Sequence, residues 1–87
     1  MPSLEQIVAN NLTTLRKQKH WSQAELAEKI HYSDKSVSKW ERGEALPNVK
    51  VLMQLAELFG VSLEHLTTEN AWYKKRRFPF RLFRKMP

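Results

Sequence analysis

Cysteine is absent from all 87 residues, so disulfide staples and thiolate metal sites are excluded. Glycine occurs only twice, at Gly43 and Gly60, and no phosphate-cradling glycine loop can be built from two so far apart. The three histidines, His20, His31 and His65, stand alone, at no zinc-binding spacing, and read as surface or capping residues. No apolar run approaches the ~20 residues that span a bilayer, and no signal-peptide pattern opens the chain. No nucleophile–base pair or working pair of acids is present either. Glu25 and Glu28, three apart on one helix, read as a solvated face. The expectation is a soluble, cytoplasmic protein, not an enzyme, with no metal and no cofactor.

What is present is charge, unevenly placed. The net charge is +6, yet residues 1–70 hold eight Lys and Arg against nine Asp and Glu, a balance of −1. Residues 71–87 hold seven basic residues and no acid. Basicity therefore belongs to the tail, and nucleic-acid binding by the rest has to rest on where its few cations stand. The length allows one domain, close to the lower limit of what folds without staples. We place that domain at 1–69 and the basic-aromatic tail at 70–87.

Helical periodicity dominates the domain. Ser3 and Gln6 read as a capping box, and Leu4, Val8, Leu12 and Leu15, with Ile7, recur at helical spacing over about 4–18. Ser22 and Glu25 form a second box before Leu26, Ala27 and Ile30. Ser33 caps a third helix with Val37 and Trp40 inward, and Gly43 stands where a left-handed residue closes it. Pro47 and Asn48 open a fourth, with Leu52, Leu55, Ala56 and Phe59 on one face, ended by Gly60. Ser62 starts a short fifth with Leu63 and Leu66. No stretch alternates long enough to be a strand, so the fold class is all-α. Helices this short are marginal alone, and their apolar stripes must share one core. Ala27 is small where two helices meet at a sharp corner and their backbones approach closely.

At that corner, Gln23, Ala27, Val37 and Trp40 stand at helix-turn-helix spacing over about 23–42, closed by Glu41 and Gly43. The whole stretch from residue 4 to about 67 resembles the lambda-repressor-like family of Cro/C1-type (XRE) transcription regulators. The resemblance implies a compact five-helix domain, a third helix that enters the DNA major groove, a second that crosses the backbone, and a dimer on two half-sites. It also implies a phosphate contact for Gln23 and an internal ion pair between Arg16 and Glu41. The dimer surface it implies is helix five and the residues after it, around Leu66 and Trp72. At His31 the family often carries glycine, because the turn favours positive φ.

The residues themselves supply chemistry on helix three. With Val37 and Trp40 inward, the other face carries Asp34, Lys35, Ser38 and Lys39, with Ser33 at its start. Lys35 and Lys39 can donate to guanine O6 and N7, and the serines can meet bases or phosphates. Asp34 either accepts from a cytosine amino group, acts against wrong sequences, or favours the positive end of its helix. Arg42 and Lys50 flank the following loop as phosphate partners. The reading is a sequence-specific, double-stranded-DNA-binding regulator, a repressor working as a homodimer. Its rival is a protein-interaction or membrane-surface module that keeps the fold. For the tail, "AWYKKRRFPFRLFRKMP", four roles stay open beside that of a plain disordered terminus, against which its five aromatics argue: a phosphate-following arm, an anionic-membrane contact, a dimer or partner strap, and the juxtamembrane start of a longer chain.

Overall fold

Five side chains decide where the helices begin. In the computed structural model, which describes residues 2–69, the elements are α1 (Leu4–Gln18), α2 (Gln23–Ile30), α3 (Asp34–Glu41), α4 (Val49–Phe59) and α5 (Leu63–Thr67). Their caps are Ser3, Ser22, Ser33, Asn48 and Ser62, each accepting the backbone N–H three residues on. Each satisfies a donor that the helix itself leaves without a partner. At α2 the box is reciprocal, because the Ser22 N–H donates to Glu25 Oε1 at 2.7 Å. At α1 it is half-formed: the Gln6 amide donates to Asn10 Oδ1 instead. No strand occurs among the described residues. Residues 70–87 lie outside them, and with them every reading of the tail and of Trp72 as a dimer contact.

The first four helices also end alike. A residue with left-handed backbone closes each: His20 (φ 62°), His31 (φ 64°), Gly43 (φ 74°) and Gly60 (φ 68°). The next residue's N–H reaches the carbonyl five positions back, in the pairs Trp21–Arg16, Tyr32–Ala27, Glu44–Lys39 and Val61–Ala56, at 2.9–3.2 Å. This is the Schellman closure, which takes up carbonyls at the helix end. The left-handed residue at His20 has no signal in the sequence, whereas that at His31 follows from its place in the corner. A β-carbon costs about 1–2 kcal/mol in this region, while glycine adds about 0.5–1 kcal/mol of unfolded-state freedom. His31→Gly should therefore leave the melting temperature unchanged or raise it by a few degrees. A drop in thermal melting would assign the imidazole a role of its own.

Leu12, Leu26, Val37, Leu55 and Leu66 are sealed from solvent, and Ala27, Ile30, Trp40, Val51, Ala56 and Phe59 complete one cluster. Around it Ile7 and Leu15 are half-buried. Leu63 departs from the pattern at 41% exposure. It opens a helix of little more than one turn, and only Leu66 of that turn is driven into the space between α1 and α4. Leu66 is fully enclosed, so it is core and not a dimer contact. Trp21 packs on Phe59 with ring centroids 5.7 Å apart, and Lys29 Nζ stands 4.6 Å from the Trp21 ring. A polar residue, Asn11, shares the interior. It is 2% exposed, and its Nδ2 donates to the carbonyls of His65, Leu66 and Thr68 at 3.1, 2.9 and 3.2 Å.

Candidate nucleic-acid interface

The corner between α2 and α3 is three residues long, His31 to Ser33. Ala27, 2% exposed, lets the two helices close on each other, and the Tyr32 N–H donates back to its carbonyl. The Tyr32 ring leans on Trp40 at 5.4 Å. Trp40 and Val37 are buried, which fixes the rotation of α3 about its axis.

The angle of α3 is held from its far end. Arg16 of α1 meets Glu41 with two parallel bonds, Nε to Oε2 at 2.7 Å and Nη2 to Oε1 at 2.9 Å. The third guanidinium nitrogen, Nη1, donates to the Trp21 carbonyl at 2.7 Å. Gln23, at the start of α2, donates from Nε2 to Glu41 Oε1 at 3.1 Å. One carboxylate thus joins the end of α1, the start of α2 and the end of α3. Both partners are largely enclosed, with 12% and 5% of their side chains exposed. Burial pushes the Glu41 carboxyl up, but bonds from Arg16, Gln23 and Thr13, with the Arg16 charge, outweigh it and hold the group below its ordinary range. The bond to Glu41 raises Arg16 further, against burial.

The sequence-derived contact residues do not all stand in one condition. Lys35, Lys39 and Arg42 are exposed and Ser38 half-buried on the face of α3 opposite Val37 and Trp40. Ser33 caps α3, its Oγ accepting from the Ser36 N–H at 3.2 Å and lying 3.2 Å from Ser36 Oγ. Asp34 is exposed in the first turn, where the helix dipole favours a negative charge. Gln23 is half-buried, with one amide hydrogen committed to Glu41 and the other left for an outside acceptor. Lys50 stands apart on α4, beside Val49, Met53, Gln54 and Glu57 along a shallow groove. Two residues that sequence reasoning passed over take part: Ser36 and Glu44. Glu44 accepts from Arg42 Nε at 2.8 Å and Nη2 at 3.1 Å, and Ser38 Oγ bonds to Arg42 Nη1. Those bonds from Arg42 come first in holding the Glu44 carboxyl below its usual range. No spacing rule reports such a pair two residues apart across a helix end.

A sharp corner, a short third helix with an exposed polar face, and a bracing first helix define a helix-turn-helix domain. The chain belongs to the helix-turn-helix family, whose profile matches residues 12–66. It is 36% identical over 55 residues to the HTH-type transcriptional activator BcrR of Enterococcus faecalis, covering 63% of this chain and 27% of BcrR. The chain thus spans about a quarter of that relative's length. It is 34% identical over 65 residues to the uncharacterized HTH-type transcriptional regulator y4dJ of Sinorhizobium fredii, covering 75% of this chain and 84% of y4dJ. Among solved structures, the hypothetical transcription factor NHTF from Neisseria superposes with a TM-score of 0.76 at 27% identity, over 85% of each chain. The same fold matches 36% of the hydroxypropylphosphonic acid epoxidase of S. wedmorenis, with a TM-score of 0.70 at 26% identity over 78% of this chain.

Proposed function

We propose that this protein is a sequence-specific double-stranded-DNA-binding transcription regulator that inserts α3 into the major groove. The observation that carries the reading is the division of α3. Val37 and Trp40 are buried, the Glu41 clamp fixes the helix end, and Lys35, Ser38, Lys39 and Arg42 face outward. Fold by itself would not carry it, since the same architecture occurs within an epoxidase. The relatives' names support the class, because BcrR, y4dJ and NHTF are called an activator, a regulator and a transcription factor.

In this reading Lys35 and Lys39 address base edges, and Ser33 and Ser38 meet bases or phosphates. Asp34 discriminates by accepting or repelling, and Arg42, Lys50 and the spare Gln23 hydrogen hold the backbone. Repression by a homodimer in the cytoplasm is the mode we assign. Exposed apolar side chains support self-association, Leu63 on α5 and Val49 with Met53 on α4. Among the described residues no helix is long and apolar enough to cross a membrane.

Selection from random duplex DNA with the full chain tests this at near-physiological salt. An enriched two-fold-symmetric motif is expected, and Lys35→Ala or Lys39→Ala should relax it at one position in each half-site, by about 1–3 kcal/mol per bidentate contact. Weak, salt-sensitive binding with no enriched motif would reject the reading and point to the seven cations of residues 71–87. A reporter fused to the selected site then separates repression from activation.

A further inference from the structure

On the α3 face, Arg42 differs from Lys35 and Lys39 in that its fork is already occupied by a carboxylate. A guanidinium carries five N–H donors in one plane. Here Nε and Nη2 are taken by Glu44 at 2.8 and 3.1 Å, and Nη1 by Ser38 Oγ. One N–H remains on each terminal nitrogen, both in the guanidinium plane and open to acceptor oxygens from outside. The two side chains are 52% and 54% exposed, so an outside acceptor can approach them. Arg42 caps the C-terminal end of α3. A recognition helix reads bases from its N-terminal part, so at this end the acceptor on offer is a phosphate.

We propose that Glu44 is a positioning residue, which fixes the Arg42 guanidinium for contact with a single DNA phosphate and so sets the register of α3 on the duplex. The inference rests on the DNA-binding reading above. An unheld arginine sweeps a wide arc and can meet whichever phosphate is nearest, in any register. A held one meets a phosphate only where the fork already points. The negative charge of Glu44 also lowers attraction to DNA of every sequence alike. The two effects differ in kind: charge acts on all duplexes, and position acts only on the duplex that fits.

The test uses the full chain and measures the parent, Glu44→Gln, Arg42→Ala and the double variant on the selected duplex and on a scrambled one, from 50 to 200 mM salt. Glu44→Gln is expected to tighten binding to the scrambled duplex several-fold and to steepen its salt dependence by about one phosphate contact. Its gain on the selected duplex should be smaller, so that discrimination falls by roughly 3–10-fold, the loss of one held contact. In the Arg42→Ala background, Glu44→Gln should leave discrimination within about twofold, because the residue it positions is gone. Equal tightening on both duplexes, or the same loss of discrimination with and without Arg42, would overturn the proposal and leave Glu44 a surface charge. The pair is also read without DNA, from the Arg42 Nε–H resonance. Solvent exchange should be slower in the parent than in Glu44→Gln, and equal rates would overturn the proposal even where DNA is selected. A parent that prefers no duplex, with the resonance still protected, would instead remove the DNA reading on which the proposal stands.

Discussion

Arg16→Met is expected to lower stability by about 3–5 kcal/mol, the range for breaking an enclosed ion pair from one side. The reason is the partner left behind. Glu41 keeps its place with only 5% of its side chain exposed, and after the substitution retains Gln23 and Thr13 but no positive charge. The Trp21 carbonyl loses its donor as well. In a domain of this size each kcal/mol shifts the melting temperature by about 4–8 °C, so a fall of roughly 12 °C or more should appear in thermal denaturation. Arg16→Met with Glu41→Met should recover much of the loss, because no charge is then stranded. Unchanged melting with lost DNA binding would make Arg16 a phosphate contact instead. Acid gives an independent check. Glu41 is held below its ordinary range in the folded state, so the unfolded chain binds its proton first as the pH falls. The clamp's contribution is complete above about pH 4.3, the unfolded value for glutamate, and is lost as the pH drops through the depressed folded value. Arg16→Met should flatten that part of the acid-stability curve.

The second large effect is expected at Asn11. Its Nδ2 serves three carbonyls at the end of α5 with two hydrogens, one of them shared. Asn11→Leu keeps the branched shape at a larger volume and removes the donor, leaving the buried Leu66 carbonyl unpaired at about 1–3 kcal/mol and the half-buried His65 and Thr68 carbonyls unpaired at less. The expected loss is about 2–4 kcal/mol, concentrated in faster amide exchange of α5. Asn11→Asp should be worse near neutral pH, since a carboxylate would face three carbonyl oxygens and donate nothing. The three carbonyl oxygens would favour the protonated acid over the carboxylate and so raise its pKa in the folded state. The added penalty would therefore grow as the pH rises above about 3.9, the unfolded value, and fade below it. An Asn11→Leu variant as stable as the parent would show that α5 is held by Leu66 alone.

These two sites mark what can and cannot be read from sequence. Helix starts are written locally, because a serine or asparagine and the backbone three residues on decide them, and all five caps are legible for that reason. The pair of Arg16 and Glu41 is 25 residues apart, and only the resemblance to a known family points to it. Asn11 carries no signal, since a polar residue beside an apolar stripe reads as solvent-facing unless the carbonyls it serves, more than 50 residues away, are known. Leu63 misleads in the other direction, because periodicity over one turn cannot tell the inner edge of a helix from its exposed beginning. His20 adopts a glycine-like backbone that nothing in its neighbours requires. The role of Glu44 lies on the surface, where side-chain reach, not pattern, decides who meets whom.

The two ends of α3 are secured very differently. Its last turn is bound through Glu41 to α1 and α2, closed by Gly43 and pressed by Tyr32, whereas its first turn is held by the Ser33 cap, the short corner to α2 and the buried Val37. The helix is a lever with its pivot at Trp40–Glu41, where polar bonds cross to α1 and α2, and its other end at Asp34–Lys35, where no such bond crosses among the described residues. Small rotations about that pivot swing the end that would meet base edges farther than the end that would meet the backbone. On the proposed function, a domain built this way would grip a duplex firmly at the backbone while the end of α3 assigned to the bases adjusts to the sequence beneath it.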